Sequence, residues 1–472
     1  MNSLDISPDT FRELADRAVE LAASYLDSLD SRPIFPNTSG AETERLFHSP
    51  LPETGEGAAA FQAVHTVMDH SRAQNGRFFG YVQGPGEPVA ALGDFIASIL
   101  TQNMTAWRSS PAGVTIERTV AGWLAEAVGC PGFSGTLTGG GSPANLMGLA
   151  MAREAKLAAN EKGLLRSGAG AIYASSEIHM SIPKAVALLG LGRDCLRLIP
   201  VDENLRMIPA ELQLALDGDR KAGKIPIAVI ASAGTVNTGA VDPLSQIAAI
   251  AHNHGAWLHV DGAYGALAAI AAPEKFAGLN QADSLSLDPH KWLYQPLDCG
   301  CLLYKDSGIA RQTFAYTGDY AKTLSTDPVE SFAFFEESME LSRRFRALKL
   351  WLSLRYHGLA AFRVAIRKDL DLAQRLAASI RKEPQMELMA PVELSAVCFR
   401  YRGVKPASDG ELNRWNAGIL KQVVRHGRVY LSNATLRGKF CLRACIVNCR
   451  TKPSDIDEIV SEVLTATRAL GY

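Results

Sequence analysis

One lysine of this chain stands out as a residue that could do chemistry. Lys291 lies in LDPHKWLYQ, where apolar and aromatic residues surround the His290–Lys291 pair. Lysine is among the residues least often buried, so here it either extends its amine to solvent or acts chemically, for example as a nucleophile toward a carbonyl. The rest of the chain decides between these two interpretations.

A glycine-rich turn in TLTGGGSPANLMG is a second candidate, because it precedes a helical pattern. Ser142 is a favoured N-cap and Pro143 a favoured first helical residue, so we predict that a helix begins there. The N–H groups at such a helix start can bind phosphate, and Gly139 to Gly141 allow close approach. By itself a turn of this kind is more often structural, and this one lacks the lysine of a nucleotide P-loop.

The strand-like run AWLHVD ends in a third candidate, Asp261. Ligands of open α/β sheets bind where strands end, and a buried carboxylate needs a cation beside it. A structural arginine would meet that need as well as a cationic ligand. Lys291 follows 30 positions later, after the next strand-like run, so we expect the two side chains to lie close together.

These three motifs together are what pyridoxal phosphate (PLP) requires. The helix start would bind its phosphate, the carboxylate would pair with its pyridinium nitrogen, and the lysine would hold its aldehyde as a Schiff base. Each motif is weak alone, but their conjunction predicts a PLP enzyme.

The elements that must position these residues alternate along the middle of the chain. Helical stretches separate the strand-like runs AGAIYASS, IPIAVIASAG, AWLHVDGAYG, DSLSLDPHKW and CGCLLYKD. Such alternation predicts a mainly parallel sheet covered by helices. We therefore predict an α/β protein with a helical segment over 1–85, a large cofactor-binding domain over 86–348 and a small α+β domain over 349–472.

Composition disfavours several classes of partner. The 472 residues carry 48 Lys and Arg against 49 Asp and Glu, and this net charge of -1 leaves no electrostatic footprint for nucleic acid or an anionic membrane. The acidic start and the lack of a segment with ~18 apolar residues predict a cytoplasmic protein. Cys441, Cys445 and Cys449 bring no histidine at zinc-ligand spacing, so we expect no metal site.

Motifs along nearly the whole chain carry a family resemblance. In order they are TGGGSPANLMGLAMAR, SSEIHMSIPKA, SAGTVNTGAVDP, HVDGAYG, LDPHKWL, TGDYAK and RRFRALKLWLSLRYHG. The chain resembles the group II PLP-dependent decarboxylases, the aromatic-L-amino-acid and glutamate decarboxylase relatives. The resemblance implies a PLP fold-type I (aspartate aminotransferase-like) large domain with a mainly parallel seven-stranded sheet. It also implies a homodimer whose active sites are shared by both chains.

The resemblance further implies roles around the cofactor ring. Lys291 matches the lysine that forms the Schiff base, and Asp261 matches the partner of the pyridinium nitrogen. His179 matches a histidine that stacks on the ring, and Ala263 matches a small residue that packs on the other face. Thr235 matches a threonine near the ring substituents.

Other roles concern the phosphate and a proton. Gly141, Ser142 and His290 match phosphate-binding positions. Asp288 stands where the aromatic enzymes often have asparagine, so its contact with phosphate would need an intervening water or proton. Tyr320, in TGDYAK, aligns with a tyrosine on a mobile loop that is thought to protonate the decarboxylated carbon, whereas related aldehyde synthases have phenylalanine there.

The sequence motifs say less about the substrate than about the cofactor. Phe79 and Tyr81 could contact an aromatic side chain, Arg443 matches an arginine of the active-site region, and Asn103 makes the expected pocket wall more polar. The resemblance therefore implies α-decarboxylation of an L-amino acid, with an aromatic substrate favoured. An acidic substrate of the glutamate, aspartate, cysteine sulfinate or diaminobutyrate type stays open, and so does a decarboxylation-dependent aromatic aldehyde synthase.

Two further classes are disfavoured by particular residues. An aminotransferase or another lyase shares only the generic lysine and aspartate, and lacks the His290–Lys291 pair and His179. A non-catalytic binding protein on the same fold would have lost Lys291 or Asp261, and this chain has both.

Overall fold

The N-terminal part of the chain is helical, as predicted. In the computed structural model, which describes residues 4–164, 170–316 and 325–472, this part contains helices α1 (Pro8–Ser28), α2 (Gly40–Phe47) and α3 (Ala63–Asp69). None of the residues in these three helices is buried. These three helices therefore contribute no buried side chain to a core, whereas Leu29 and Ile34 in the connection after α1 are buried.

A seven-stranded sheet forms the middle of the molecule. Its strands are β1 (Ser134–Thr138), β2 (Gly170–Ser175), β3 (Leu196–Ile199), β4 (Ile225–Ser232), β5 (Trp257–Asp261), β6 (Ser284–Leu287) and β7 (Gly300–Tyr304). Their spatial order is β1-β7-β6-β5-β4-β2-β3. Neighbours from β3 to β6 pair in parallel, whereas β7 runs antiparallel to both β1 and β6. This confirms the predicted mainly parallel sheet of fold-type I.

Helices cover this sheet. They are α4 (Pro88–Leu100), α5 (Pro111–Ala127), α6 (Gly141–Leu157), α7 (Ala159–Lys162), α8 (Ser181–Leu188), α9 (Pro209–Lys221), α10 (Leu244–Asn253), α11 (Pro289–Trp292) and α12 (Ser307–Phe314). Strands β5, β6 and β7 are buried along their whole length, as expected for strands of a sheet covered by helices. The short edge strands β1 and β3 were not predicted from the sequence, and β3 has two exposed residues.

Strand register brings several chain segments to one edge of the sheet. Ser232 at the end of β4 pairs with Asp261 at the end of β5, and Asp261 pairs with Ser286 near the end of β6. The turns that follow these strands therefore meet where ligands of α/β sheets usually bind.

A smaller antiparallel sheet forms the C-terminal part. Its strands are β8 (Met386–Leu388), β9 (Ala396–Tyr401), β10 (Ser432–Leu436) and β11 (Lys439–Cys445), in the order β10-β11-β9-β8. The helices of this part are α13 (Arg346–Lys382), α14 (Asp409–His426) and α15 (Pro453–Ala469). This agrees with the α+β character that the sequence predicted.

Helix α13, which is kinked at Gly358 where φ is 74°, joins the two sheets. It contributes Ile366 to the hydrophobic cluster of the large sheet and Leu376 to that of the small one. The predicted domain boundary after residue 348 falls in the first turn of this helix, and the division into domains stays a prediction. In the described parts of the chain, no helix combines the length and the apolar character needed to cross a bilayer.

Candidate active site

A cavity of about 260 Å³ opens at the edge where the strand ends meet. The turns after β1, β2, β4, β5 and β6 all contribute to its wall. Each residue predicted to bind the cofactor lines it: Gly141, Ser142, His179, Thr235, Asp261, Ala263, Asp288, His290 and Lys291. The structure brings these residues together, and the role of each stays a prediction.

The start of α6 forms one wall. The helix begins at Gly141 with Gly140 as its N-cap, two residues before the predicted N-cap at Ser142. Gly140 has a φ of 132°, which side chains rarely allow, and this conformation moves the helix start upstream. A Cβ on Gly141 would lie 2.6 Å from the Cβ of Ala263. Both glycines thus keep the approach to the first helical N–H groups clear, as an anion site requires.

Lys291 lies in the short helix α11, four residues past the end of β6 rather than at the strand end itself. Its Nζ is 2.9 Å from Oδ2 of Asp288, whose Oδ1 is buried without a hydrogen-bond partner. His290 donates from Nδ1 to the backbone carbonyl of Cys299 at 2.7 Å, which fixes the ring. Burial lowers the pKa of His290. The lysine amine is therefore held at the cavity wall by an ion pair with the buried Asp288 carboxylate.

Asp261 is a buried carboxylate surrounded by neutral donors. Oδ2 accepts from Nδ2 of Asn145 at 3.1 Å, and Oδ1 accepts from Oγ of Ser286 and from the N–H of Ala263, both at 3.2 Å. Among the described residues, no lysine, arginine or histidine forms an ion pair with it, so the structural-arginine alternative finds no partner there. A carboxylate in this setting is suited to a cationic ligand.

The protonation of His179 follows from its neighbours. Nδ1 accepts from the backbone N–H of Ser181 at 3.2 Å and lies 2.8 Å from the Ser181 hydroxyl oxygen. A backbone N–H can only donate, so Nδ1 carries no proton and the neutral ring is protonated at Nε2. Burial lowers the pKa of His179, which also favours the neutral ring.

The two aromatic residues predicted to contact substrate are not part of the cavity lining. Phe79 is fully buried in the hydrophobic cluster of the small sheet. Tyr81 is half exposed and packs on Tyr430, with their ring centroids 6.0 Å apart. Aromatic residues are as often used for packing as for ligand contact, which is the role that Phe79 has in this chain.

The two polar candidates also lie outside the lining. Asn103 accepts a hydrogen bond from the backbone N–H of Arg343 at 2.9 Å. Arg443 is buried on β11 and donates to the backbone carbonyl of Val236, which does line the cavity. Tyr320, the predicted proton donor, lies outside the described residues, so the substrate and proton-transfer roles of all five stay predictions.

The sequence analysis missed several lining residues. They are Asn145, Ser181, Ser232, Gly234, Val236, Tyr264 and Leu297. Asn145 offered a signal that could have been found, because it is an amide within the apolar run PANLMGLAMA, one turn after Gly141. A polar residue on the buried face of a helix needs a partner, and that need is itself informative.

The cavity fits PLP. The glycine start of α6 is shaped for a phosphate, Asp261 has no cationic partner among the described residues, and Lys291 supplies an amine in the same cavity. Fold and cavity together define a PLP enzyme of fold-type I.

Comparisons with known proteins agree. Residues 55–402 match the family model described as Pyridoxal-dependent decarboxylase conserved domain. An aromatic-L-amino-acid decarboxylase from Bacillus atrophaeus is 34% identical, over 98% of this chain and 96% of that protein. A phenylacetaldehyde synthase from Petunia hybrida is 29% identical, over 93% and 91%. The crystal structure of Oryza sativa TDC with PLP and tryptamine has a TM-score of 0.92 at 27% identity, over 98% of this chain and 99% of that one.

The chain therefore belongs to the pyridoxal-dependent decarboxylase family, and it is a PLP-dependent carboxy-lyase.

Proposed function

We propose that the chain removes the α-carboxylate of an aromatic L-amino acid and releases the amine and CO₂. The observation that carries this proposal is the buried carboxylate of Asp261, which has neutral donors only and shares a cavity with Lys291. The aromatic preference is supported by the name of the Bacillus relative.

The residues of the cavity would have different roles in the reaction. When bound, PLP supplies an electron-accepting ring that stabilises the electron pair left behind as CO₂ departs. Asp261 would hold the proton on the ring nitrogen, and its three hydrogen bonds keep both carboxylate oxygens oriented for that contact. Lys291 would attach the cofactor covalently and yield it to the substrate amine.

The remaining lining residues would orient the cofactor. The N–H groups at the start of α6, with Ser142 and His290, would bind the phosphate. His179 and Ala263 would pack against the ring, and Thr235 would lie near its substituents. A neutral His179 can lie against a cationic ring without charge repulsion, which agrees with its lowered pKa.

The substrate side chain would be recognised in part by a second copy of the chain. Apolar side chains on one face of α4 are exposed: Leu92, Phe95, Ile96, Ile99 and Leu100. Such a face on an otherwise polar surface is typical of an interface. Asn103 lies just after α4, so in a homodimer built on this face it would lie close to the partner chain.

Two alternatives have support of their own. The Petunia relative is named for an aldehyde product, which supports the aldehyde-synthase alternative. The polar Asn103 supports the alternative of an acidic substrate. Both alternatives use the same cofactor site, so they differ from the proposal only in substrate or product.

One incubation distinguishes these possibilities. Purified protein with PLP would be given the twenty standard amino acids together with DOPA, 5-hydroxytryptophan and cysteine sulfinate, and amines, aldehydes and peroxide would be measured. We expect one aromatic amine without peroxide. An amine from an acidic amino acid would replace the substrate assignment, and the absence of both a borohydride-sensitive band near ~420 nm and any product would overturn the decarboxylase proposal.

Replacing Tyr320 with phenylalanine tests the proposed proton donor. If the phenol delivers the proton to the decarboxylated carbon, Tyr320→Phe should shift product from amine to aldehyde. Each aldehyde formed then consumes one O₂ and one water and releases CO₂, ammonia and H₂O₂. Tyr316→Phe, a change of the same kind at an exposed tyrosine nearby, should leave the products unchanged. An unaltered amine yield without peroxide in the Tyr320 variant would remove this residue from the mechanism.

A further inference from the structure

Asn145 connects two residues that face the proposed ring site. It lies one turn after the start of α6 and is 1% exposed. Its Nδ2 donates to Oδ2 of Asp261 at 3.1 Å and to Oγ of Ser181 at 3.0 Å. Its Oδ1 accepts from Nε2 of His259 at 2.9 Å. All three polar functions of this amide are thereby used, and its orientation is determined by its neighbours.

The orientation of the amide is set by groups with fixed hydrogen-bond roles at the two ends of this network. The Asp261 carboxylate can only accept, so Nδ2 of Asn145 faces it and Oδ1 faces His259, and at the other end the indole N–H of Trp257 can only donate. The indole N–H of Trp257 donates to Oγ of Ser284 at 2.8 Å, so the serine hydroxyl proton is free to bind Nδ1 of His259, also at 2.8 Å. His259 then carries its proton on Nε2 and donates it to Oδ1 of Asn145. Burial lowers the pKa of His259 to about 4, so this ring stays neutral at physiological pH.

The same directionality continues toward the cavity. Because Oγ of Ser181 accepts from Asn145, its own proton points to Nδ1 of His179, 2.8 Å away. The backbone N–H of Ser181 approaches the same nitrogen. The only proton of His179 is therefore on Nε2. One ordered chain of hydrogen bonds thus runs from the indole to the cavity.

We propose that this chain of neutral side chains positions the Asp261 carboxylate for the bound cofactor and orients the Ser181 hydroxyl toward His179, whose tautomer the backbone N–H of Ser181 fixes. We call it the relay, and its members are Trp257, Ser284, His259 and Asn145. They are positioning residues, because only Asn145 lines the cavity and none supplies or removes a proton of the reaction. The proposal rests on the cofactor contacts proposed above for Asp261 and His179.

A neutral relay has a consequence that an ion pair would not have. A lysine or arginine beside Asp261 would compete with the ring nitrogen for the carboxylate charge. An amide holds the same oxygen in place and leaves the full charge to the cofactor. The relay also disfavours the opposite tautomer of His259. In that tautomer the amide of Asn145 would have to rotate, and it would lose its hydrogen bond to Asp261.

Asn145→Ala tests the relay against a matched control. Asn416→Ala removes an equally buried amide with three hydrogen bonds from the small domain, where it bonds to Tyr401 and Leu412. Both variants should lose thermal stability. Only Asn145→Ala should weaken PLP binding, by about 10- to 100-fold, and change the pH titration of the cofactor's visible absorbance. At saturating PLP it should lower kcat more than it raises KM for the amino acid.

Two results would overturn the relay. One is an Asn145→Ala protein whose dissociation constant and absorbance titration for PLP equal those of the wild type. The other is an Asn416→Ala protein with the same losses as Asn145→Ala, because the effect would then come from general destabilisation. If the wild type itself bound no PLP, the proposed function would fail as well, so the two failures are distinguishable.

Trp257→Phe is a gentler second variant, needed if Asn145→Ala does not fold. It keeps an aromatic ring in the core and removes the N–H that orders Ser284, together with part of the indole volume. ¹⁵N NMR of the histidine-labelled apoenzyme should show His179 and His259 as pure Nε2–H tautomers in the wild type, and His259 as a tautomer mixture in the variant. PLP affinity should fall several-fold. A pure tautomer with unchanged affinity in Trp257→Phe would reject the ordering role.

Discussion

Asp288 carries the least expected charge in the cavity. Its Oδ2 pairs with the amine of Lys291, and its Oδ1 is buried without a hydrogen-bond partner. A Cβ on Gly141 would lie 3.0 Å from Oδ2, so the carboxylate is next to the helix start proposed for the phosphate. A carboxylate beside a phosphate opposes its binding, and the ion pair with Asp288 must be broken before the Lys291 amine can bond to an aldehyde.

Asp288→Asn should therefore tighten PLP binding. Removing one negative charge from the proposed phosphate site and from Lys291 acts in the same direction, and about a tenfold decrease in dissociation constant is expected at pH 7.5. The quantity to measure is the apparent dissociation constant from titration of the apoenzyme. Asp283→Asn, at the opposite end of β6, makes the same change in net charge and should have no such effect. Weaker binding in Asp288→Asn would mean that the carboxylate helps to hold the cofactor.

Single residues show where sequence reasoning was effective and where it was not. Lys291, Asp261 and the glycine turn could be found because each sits in a short motif whose local structure is determined by its neighbours in sequence. Asn145 could not be given a role in this way, since its partners Ser181 and Asp261 are 36 and 116 residues away. Partners so distant are brought together only by the sheet.

At the scale of elements, α6 depends on having no side chain at its first residue. Gly141→Ala would place a Cβ 2.6 Å from the Cβ of Ala263, which forces the helix start away from the strand end. We expect a loss of PLP affinity of at least tenfold, measured by titration of the apoenzyme. Gly122→Ala is the matched control, because this glycine is inside α5 with no atom within 4 Å of the new Cβ. It should leave affinity unchanged and stabilise the protein by up to about 1 kcal/mol.

Equal PLP affinity in the two glycine variants would show that α6 can shift without cost, and the phosphate assignment would then lose its structural basis.

This helix could be predicted from the sequence but its first residue could not, because Ser142 and Pro143 look like an N-cap and N1 pair. Only the backbone of Gly140, with its φ of 132°, shows that the helix starts earlier.

The long helix α13 contains a carboxyl group whose burial makes stability depend on pH. Oδ2 of Asp369 accepts from the hydroxyl of Tyr294 and from the N–H of Asn448, both at 2.9 Å, while Oδ1 is buried without a partner. Burial raises the pKa of Asp369 to about 7. The native protein thus holds a proton that the unfolded chain releases near pH ~4. The stability that this proton provides is complete below about pH 4 and is lost as the pH rises through 7.

Asp369→Asn should remove this pH dependence. The amide oxygen can accept both hydrogen bonds, and no ionisation cost remains. The melting temperature of the variant should equal that of the wild type near pH 5 or lie slightly above it, and exceed it increasingly up to pH 7.5. The slope removed is at most about 1.4 kcal/mol per pH unit. Asp371→Asn, an exposed position on the same helix, should track the wild type throughout. Parallel curves for Asp369→Asn and wild type would show that the carboxyl is ionised in the folded protein.

At the scale of the whole molecule, two surfaces formed by helices are not covered by other parts of the same chain among the described residues. No residue of the N-terminal helices α1 to α3 is buried, and α4 exposes Leu92, Ile96 and Ile99 along one face at helical spacing. Helices without a core are marginal alone, and an apolar stripe of this kind is costly in water. Both features are accounted for if two chains associate through these surfaces.

Two lysines on that stripe should separate the chains. The wild type is expected to have a solution mass of twice 50.7 kDa by light scattering, and Leu92→Lys/Ile96→Lys should approach the mass of one chain. Leu188→Lys/Leu214→Lys adds the same charge at exposed leucines on α8 and α9 and should remain dimeric. If Asn103 of one chain completes the substrate pocket of the other, the separated protein should also lose amine formation while retaining some PLP. A fully active monomer would show that each cavity is complete within its own chain. The substrate contacts would then have to come from residues around Val236 and Leu297.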